Sequence, residues 1–328
     1  MELKGFREYL KERKVESDKI NKAIDLITEF HEFLFNNEKS LDNANYNNLH
    51  NFSAYLITNK KNSFENYVYL LRFAYFKKNN QLVHATMELL DGREMIENFS
   101  NRLIKEFGIK VRDEIFEGDK VPPLGLHPKK KPEITRKLIE RFLKKFGPDE
   151  CKKFLADGLR DKYTEDYIPA REKFLKINNI DDFLKDKHQQ MMKTLKKHQK
   201  EGTLFFTQEV DEEVISYVEN DPSIEAGIRK GNQVNITKIP YMTKHFLNET
   251  DEKKKMYYYC HCPWVREALI EEDQPIPPIF CHSSGGFYKN YWEAVLDQPV
   301  KVDLLESVIK GDKACKFTLY LPQEFADN

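Results

Sequence analysis

Four of the five cysteines in this chain fall between Lys255 and Leu321: Cys260, Cys262, Cys281 and Cys315. His261, His282, Trp264 and Trp292 lie in the same stretch. A fold that brings such a segment together gathers soft ligands, imidazoles and large aromatics in one place. The rest of the chain is mostly charged and helical in pattern, and reads as a scaffold for it.

At 328 residues there is room for two or three domains and a sizeable core. A hydrophobic content of 40% with 12% aromatic residues is ordinary for a globular protein. The formal net charge of -1 gives no global bias toward nucleic acid or membrane, and no apolar run reaches the length of a membrane span. An odd, clustered set of five cysteines differs from a disulfide framework, so a reducing, cytoplasmic setting is expected.

From Glu2 to Phe107 the apolar residues recur at helical spacing. Ile20, Ala23, Ile24, Ile27, Phe30 and Leu34 mark one face, with Ser17 and Asp18 expected as N-caps. Breaks near Asn43–Asn45, Asn62–Ser63 and Asn79–Asn80 separate further helices. Residues 117–132, with four prolines, two glycines and a lysine run, read as a linker. Helices resume at Glu133, break at Gly147–Pro148, and include an amphipathic stretch over Asp181–His198. β-rich runs follow from about Thr203, with a helix at Glu212–Glu219. The reading is α+β: an all-α domain over 1–116, the linker 117–132, then 133–328 as helices leading into an antiparallel sheet.

Taking Tyr257–Cys262 as a strand, Cys260 and Cys262 share one side, about 6–7 Å apart, and His261 takes the other. Cys281 precedes a helix expected to open at the Ser283–Gly286 turn with a serine cap. Val300–Val308 and Ala314–Leu321 form a hairpin carrying Cys315. Three chemistries stay open. Thiolates can hold zinc or iron. Cys281 with His282, or His261, as base can act as a nucleophile near a helix start. Cysteines can also simply fill a core. Trp264, Arg266, Ser284, Tyr288 and Trp292 are candidate ligand contacts around these thiols.

The pieces FREYLKERKVESDKINKAIDLITEFHEFL, NYNNLHNFSAYL and SFENYVYLLRFAYFKKNN resemble the core-binding (SAM-like) domain of tyrosine recombinases. That resemblance implies DNA contact through residues 1–107, with Lys60, Lys61, Arg72, Lys77 and Lys78 as phosphate contacts. Residues 1–80 hold only thirteen Lys/Arg against eleven Asp/Glu, and the family's His-x-x-Arg is missing. A packing or dimerisation role, including a homo-oligomer, fits these charges at least as well.

GIRKGNQVNITKIPY, YYYCHCPWVREAL, FCHSSGGFYKNYWEAVL and ESVIKGDKACKFTLYLP resemble a family of uncharacterised cytosolic proteins. The last piece is also similar to 4-vinyl-reductase-type ligand-binding domains and to the amino-thiazoline-carboxylate hydrolase family. The former implies metal ligation by Glu306 and Cys315. Val308 and Ile309 stand where a further cysteine is expected, so Cys260, Cys262 or Cys281 would supply the missing sulfurs. The leading expectation is a small-molecule-binding protein with metal assistance and no membrane partner. The alternatives are a hydrolase of a small cyclic amide or thiazoline-like substrate, and a ligand-responsive DNA-binding protein.

Overall fold

A computed structural model describes residues 2–161, 164–270 and 275–326. The fold is α+β, with N-terminal helices followed by a region containing a four-stranded antiparallel sheet. Two compact units can be distinguished. The first comprises Met1–Arg93 with Lys120–Lys131; the second comprises Glu94–Asp119 with Pro132–Asn328.

The first unit contains α1 (Glu2–Glu12), α2 (Ser17–Phe35), α3 (Tyr46–Thr58), α4 (Phe64–Phe76) and α5 (Asn80–Leu90). The polar breaks read from the sequence are helix caps. Asn45 and Asn48 form a reciprocal capping box, while Ser63 and Asn79 each accept from a backbone N–H three residues on. At α2 the expectation fails: Glu16 is the N-cap, without a side-chain bond, and Ser17 and Asp18 lie in the first turn. Asp18 still complements the positive helix end. Phe6, Ile27, Phe30, Leu34, Phe52, Leu56, Tyr67 and Phe73 make up much of the core.

The stretch read as a linker is divided between the units, and its Lys120–Lys131 part packs onto these helices. Ser53 Oγ donates to the Gly125 carbonyl at 2.7 Å and Asn62 Nδ2 to the Leu124 carbonyl at 3.0 Å. Gly125 has φ +84°, and a Cβ there would stand 1.7 Å from the Tyr67 hydroxyl oxygen. Its glycine and prolines thus serve a docked segment. Beside it lies a buried polar cluster. Glu88, 1% exposed, receives the Tyr46 hydroxyl, and its carbonyl accepts from Lys131 Nζ at 2.9 Å. His50 faces the Glu88 carboxylate at 4.0 Å, and its Nδ1 lies 3.3 Å from His127 Nε2. Burial, then His127 and Lys131, hold His50 down at about 3.

The second unit opens with α6 (Met95–Phe107) and α7 (Ile109–Phe116). Next come α8 (Lys131–Ala156), α9 (Ile168–Ile177), α10 (Ile180–Glu201) and α11 (Glu212–Glu219). The α8 path breaks at Gly147, φ 76°, beside Pro148, where the sequence reading put a helix stop. The remaining elements are β1 (Ile228–Lys230), β2 (Gln233–Thr237), α12 (Thr243–Asn248), α13 (Glu252–Tyr259), α14 (His282–Leu296), β3 (Lys301–Glu306) and β4 (Lys316–Tyr320). The strand order is β1-β2-β4-β3. Val234 pairs with Leu319 and Ile236 with Phe317, while Val302 and Leu304 meet the same two β4 residues from the other side. This apolar face joins Phe174, Phe183, Tyr288, Trp292 and Val295 in one core cluster.

Three local expectations are corrected. The sheet begins at Ile228 rather than near Thr203, where only an isolated Phe205–Gln208 bridge forms. Tyr257–Cys262 is not a strand: α13 runs to Tyr259, and the Cys260 N–H closes on the Met256 carbonyl. α14 starts at His282 without a side-chain cap, so no serine opens it. The glycines of that turn have packing reasons. A Cβ on Gly285 would touch Val302 at 3.4 Å, and one on Gly286 would lie 2.2 Å from the Gly158 Cα.

Candidate functional site

The four C-terminal cysteines come from three stretches: the end of α13 and the turn after it, the 3₁₀ turn Pro278–Cys281 before α14, and the residues leading into β4. The short turns Pro278–Cys281 and Val308–Lys310 pack together, and α13 packs on the latter. The thiols thereby become neighbours. Burial pushes the Cys260 thiol well up, and Cys262, Cys315 and Cys281 push it further. Cys281 is raised to about 12 by burial and by Cys315, with Cys262 adding to the shift. Cys315 is raised by burial as well. All are free thiols.

The Cys262 backbone N–H partly offsets this rise at Cys260, the Ser307 hydroxyl does so at Cys281, and the Val308 N–H at Cys315. Such donors favour the thiolate form and so oppose burial. Among the described residues, no three His, Cys, Asp or Glu side chains form a group that could hold a metal ion as they stand.

The other nominated residues divide. Tyr288 and Trp292 are buried beside the sheet on the same helix, α14. Trp264 is buried, and its carbonyl accepts the Thr135 hydroxyl at 2.9 Å. Arg266 is not a surface charge: it is 2% exposed, with its guanidinium 4.3 Å from the Tyr241 ring centroid and 5.2 Å from that of Tyr257. The two rings and the burial hold the guanidinium in place by cation–π packing. Ser284 is half-buried in the first turn of α14. Glu306, implied as a metal ligand, instead pairs with Lys316 at 3.0 Å on a partly exposed edge. His282 is buried and lowered to about 4, by burial first and then Lys152 and Lys310. His261 lies 2.6 Å, through Nε2, from the Ile239 carbonyl and is held well down by burial. Cys151, distant in sequence, is fully buried in the core.

Sequence reasoning missed the polar residues behind the thiols. Tyr259 donates to the Lys238 carbonyl at 2.5 Å, and both burial and Cys315 raise its hydroxyl. The Tyr288 hydroxyl lies 3.3 Å from each Glu225 carboxylate oxygen. Glu225 Oε1 also accepts the Ile239 N–H at 2.9 Å, and the Glu225 carbonyl accepts Lys187 Nζ at 2.5 Å. Burial lowers that amine to about 8. Glu225 adopts φ 58°, a left-handed backbone unusual for glutamate. Its sequence neighbourhood carries no motif that predicts this placement.

No family model, curated protein or solved structure matches the chain. Among the described residues, no helix is long and apolar enough to cross a membrane.

Proposed function

We propose that the second unit binds a small molecule at the thiol–tyrosine cluster, with a soft metal ion such as zinc or iron drawn in by Cys260, Cys262, Cys281 and Cys315. The observation that carries this reading is the gathering of four thiols from three stretches, with Cys262, Cys315 and Cys281 each near enough to raise Cys260. Four sulfurs, that of Cys260 buried and those of Cys262, Cys281 and Cys315 on half-buried residues, supply the donor chemistry of a soft tetrahedral ion. Their side-chain positions are not those of a closed site, so binding requires the sulfurs to turn inward. Glu306, occupied by Lys316, is left out of the ligand set. Tyr288 and Tyr259 would border the bound molecule, with Glu225 fixing the Tyr288 hydroxyl.

A metal-free nucleophilic Cys281 has less support. Its thiol is raised to about 12, its hydrogen-bond partner is Ser307, and His282 is held neutral by burial. The DNA reading gains nothing from the charges: Lys61 and Lys77 of the first unit pair with Glu29 and Asp42.

The test is elemental analysis of full-length protein purified without chelators or metal-affinity resin. About one zinc or iron per chain, lost in both Cys260→Ser and Cys281→Ser, supports the proposal. Wild-type protein that stays metal-free after incubation with zinc or ferrous ion under reducing conditions sinks it.

A further inference from the structure

The segment Lys120–Lys131 meets the helices of the first unit largely through neutral groups. Ser53 and Asn62 donate to its Gly125 and Leu124 carbonyls, and the Tyr67 hydroxyl lies 2.6 Å from Ser53 Oγ beside them. Further along, the His127 ring stands at 78° to that of His50, with centroids 4.7 Å apart. Two imidazoles in direct contact hold the segment at this point.

The hydrogen bonds fix where each ring carries its proton. The Lys129 N–H donates to His127 Nδ1 at 3.2 Å, capping the turn Pro128–Lys130. That nitrogen is an acceptor, so the neutral ring carries its proton on Nε2. His127 Nε2 faces His50 Nδ1 at 3.3 Å. His50 Nδ1 therefore accepts, and the His50 proton sits on its own Nε2. In both rings the nitrogen left to protonate is already receiving a bond. A proton on His127 Nδ1 would meet the Lys129 N–H, and one on His50 Nδ1 would meet the His127 Nε2–H. Docking in this geometry requires both rings to be neutral.

The groups around His50 add to this constraint. His50 is 2% exposed, with the Tyr46 ring of its own helix at 4.1 Å between centroids. From α5 it faces His84 and the Glu88 carboxylate, and from the segment itself His127 and Lys131. Glu88 lies on the Nε2 side, receives the Tyr46 hydroxyl and has His84 Nε2 at 3.7 Å. A second positive charge on His50 would stand against Lys131 in a buried place. Release would let the ring take up a proton that the docked state refuses. Docking is thus fully supported by His50 above about 6.5 and weakens as pH falls toward 3.

We propose that Lys120–Lys131 is a proton-gated strap, docked on α3, α4 and α5 while His50 and His127 are neutral and released in mild acid before the helices unfold. Release uncovers the Ser53–Tyr67 pair. The device lies within the first unit and does not rest on the function proposed for the thiols.

The test is hydrogen exchange of the full chain at pH 7.5 and pH 5.0, read by mass spectrometry. Each rate is divided by that of an unstructured peptide at the same pH. In wild-type protein, relative exchange across residues 122–131 should rise by on the order of tenfold or more at pH 5.0, while α2 keeps its protection. The rise should disappear in the double variant His50→Gln, His127→Asn, whose asparagine still accepts the Lys129 N–H. No rise in the wild-type segment, or an equal rise in α2, overturns the proposal. So does a rise of wild-type size in the double variant. If the double variant does not fold, the wild-type comparison decides alone.

Discussion

Gly158 and Gly286 meet backbone to backbone: a Cβ on Gly286 would stand 2.2 Å from the Gly158 Cα and 2.5 Å from its nitrogen. Gly158 is itself held at φ +82°. The contact lets the first turn of α14 approach the loop after α8, where Lys289 pairs with Asp157. Backbone cannot rotate aside as a side chain can. Gly286→Ala should therefore destabilise the second unit by about 1–3 kcal/mol or more. Gly285→Ala, whose nearest contact is a Val302 methyl at 3.4 Å, should cost less. Urea unfolding of both variants checks the ranking, and equal stabilities would refute this account of the glycine pair.

Acid should weaken the first unit through His50. Its imidazole takes a proton near 6.5 when unfolded but only near 3 in the fold. Between those values the unfolded chain binds more protons, so the contribution is complete above about 6.5 and is lost as pH falls toward 3. At pH 5 the loss is about 2 kcal/mol. In His50→Gln, the fall in unfolding free energy from pH 7 to pH 5 should shrink by about that amount. A fall of unchanged size would show that His50 is not the responsible group.

Thiol chemistry gives a third expectation. In metal-free protein, Cys281 is raised to about 12 and Cys260 well above its ordinary value by burial. Alkylation at pH 7.5 should be slower than for unfolded protein by on the order of a thousandfold or more, because only the thiolate reacts. Peptide mapping after timed iodoacetamide treatment reads this directly. Rapid labelling of Cys281 in folded protein would restore the nucleophile reading.

Arg266 should prove structural. Its guanidinium packs over the Tyr241 and Tyr257 rings, and Tyr257 donates to Glu267 at 3.0 Å. A lysine keeps the charge but loses the planar stack, so Arg266→Lys should cost about 1–2 kcal/mol. Thermal unfolding measures the loss. A variant with wild-type stability would return Arg266 to the ligand-contact residues.

Much of the helical organisation was legible because it is written locally. Ile20, Ala23, Ile24, Ile27, Phe30 and Leu34 announce a helical face by spacing alone, and all but the half-buried Ile24 are buried. The breaks at Asn43–Asn45, Asn62–Ser63 and Asn79–Asn80 were legible as interruptions, and in the fold Asn45, Ser63 and Asn79 cap the helices that follow. The β3–β4 pairing was readable from two β-rich runs around the Lys310–Gly311–Asp312 turn. The Tyr257–Cys262 strand was misread because three tyrosines favour strands in isolation, whereas α13 buries Tyr259 against Phe246.

By itself, the sequence determined that this chain makes N-terminal helices, then a small antiparallel sheet, with its cysteines concentrated near the end. Spacing and capping act over a few residues, so they survive without knowledge of the fold. Only the tertiary structure decided that the thiols become neighbours, that Glu306 turns to Lys316, and that Arg266 is buried between aromatic rings. It also decided that Glu225 reaches Tyr288 from 63 positions away. Those pairings depend on packing between distant segments, and no local pattern specifies which distant partner a side chain will meet.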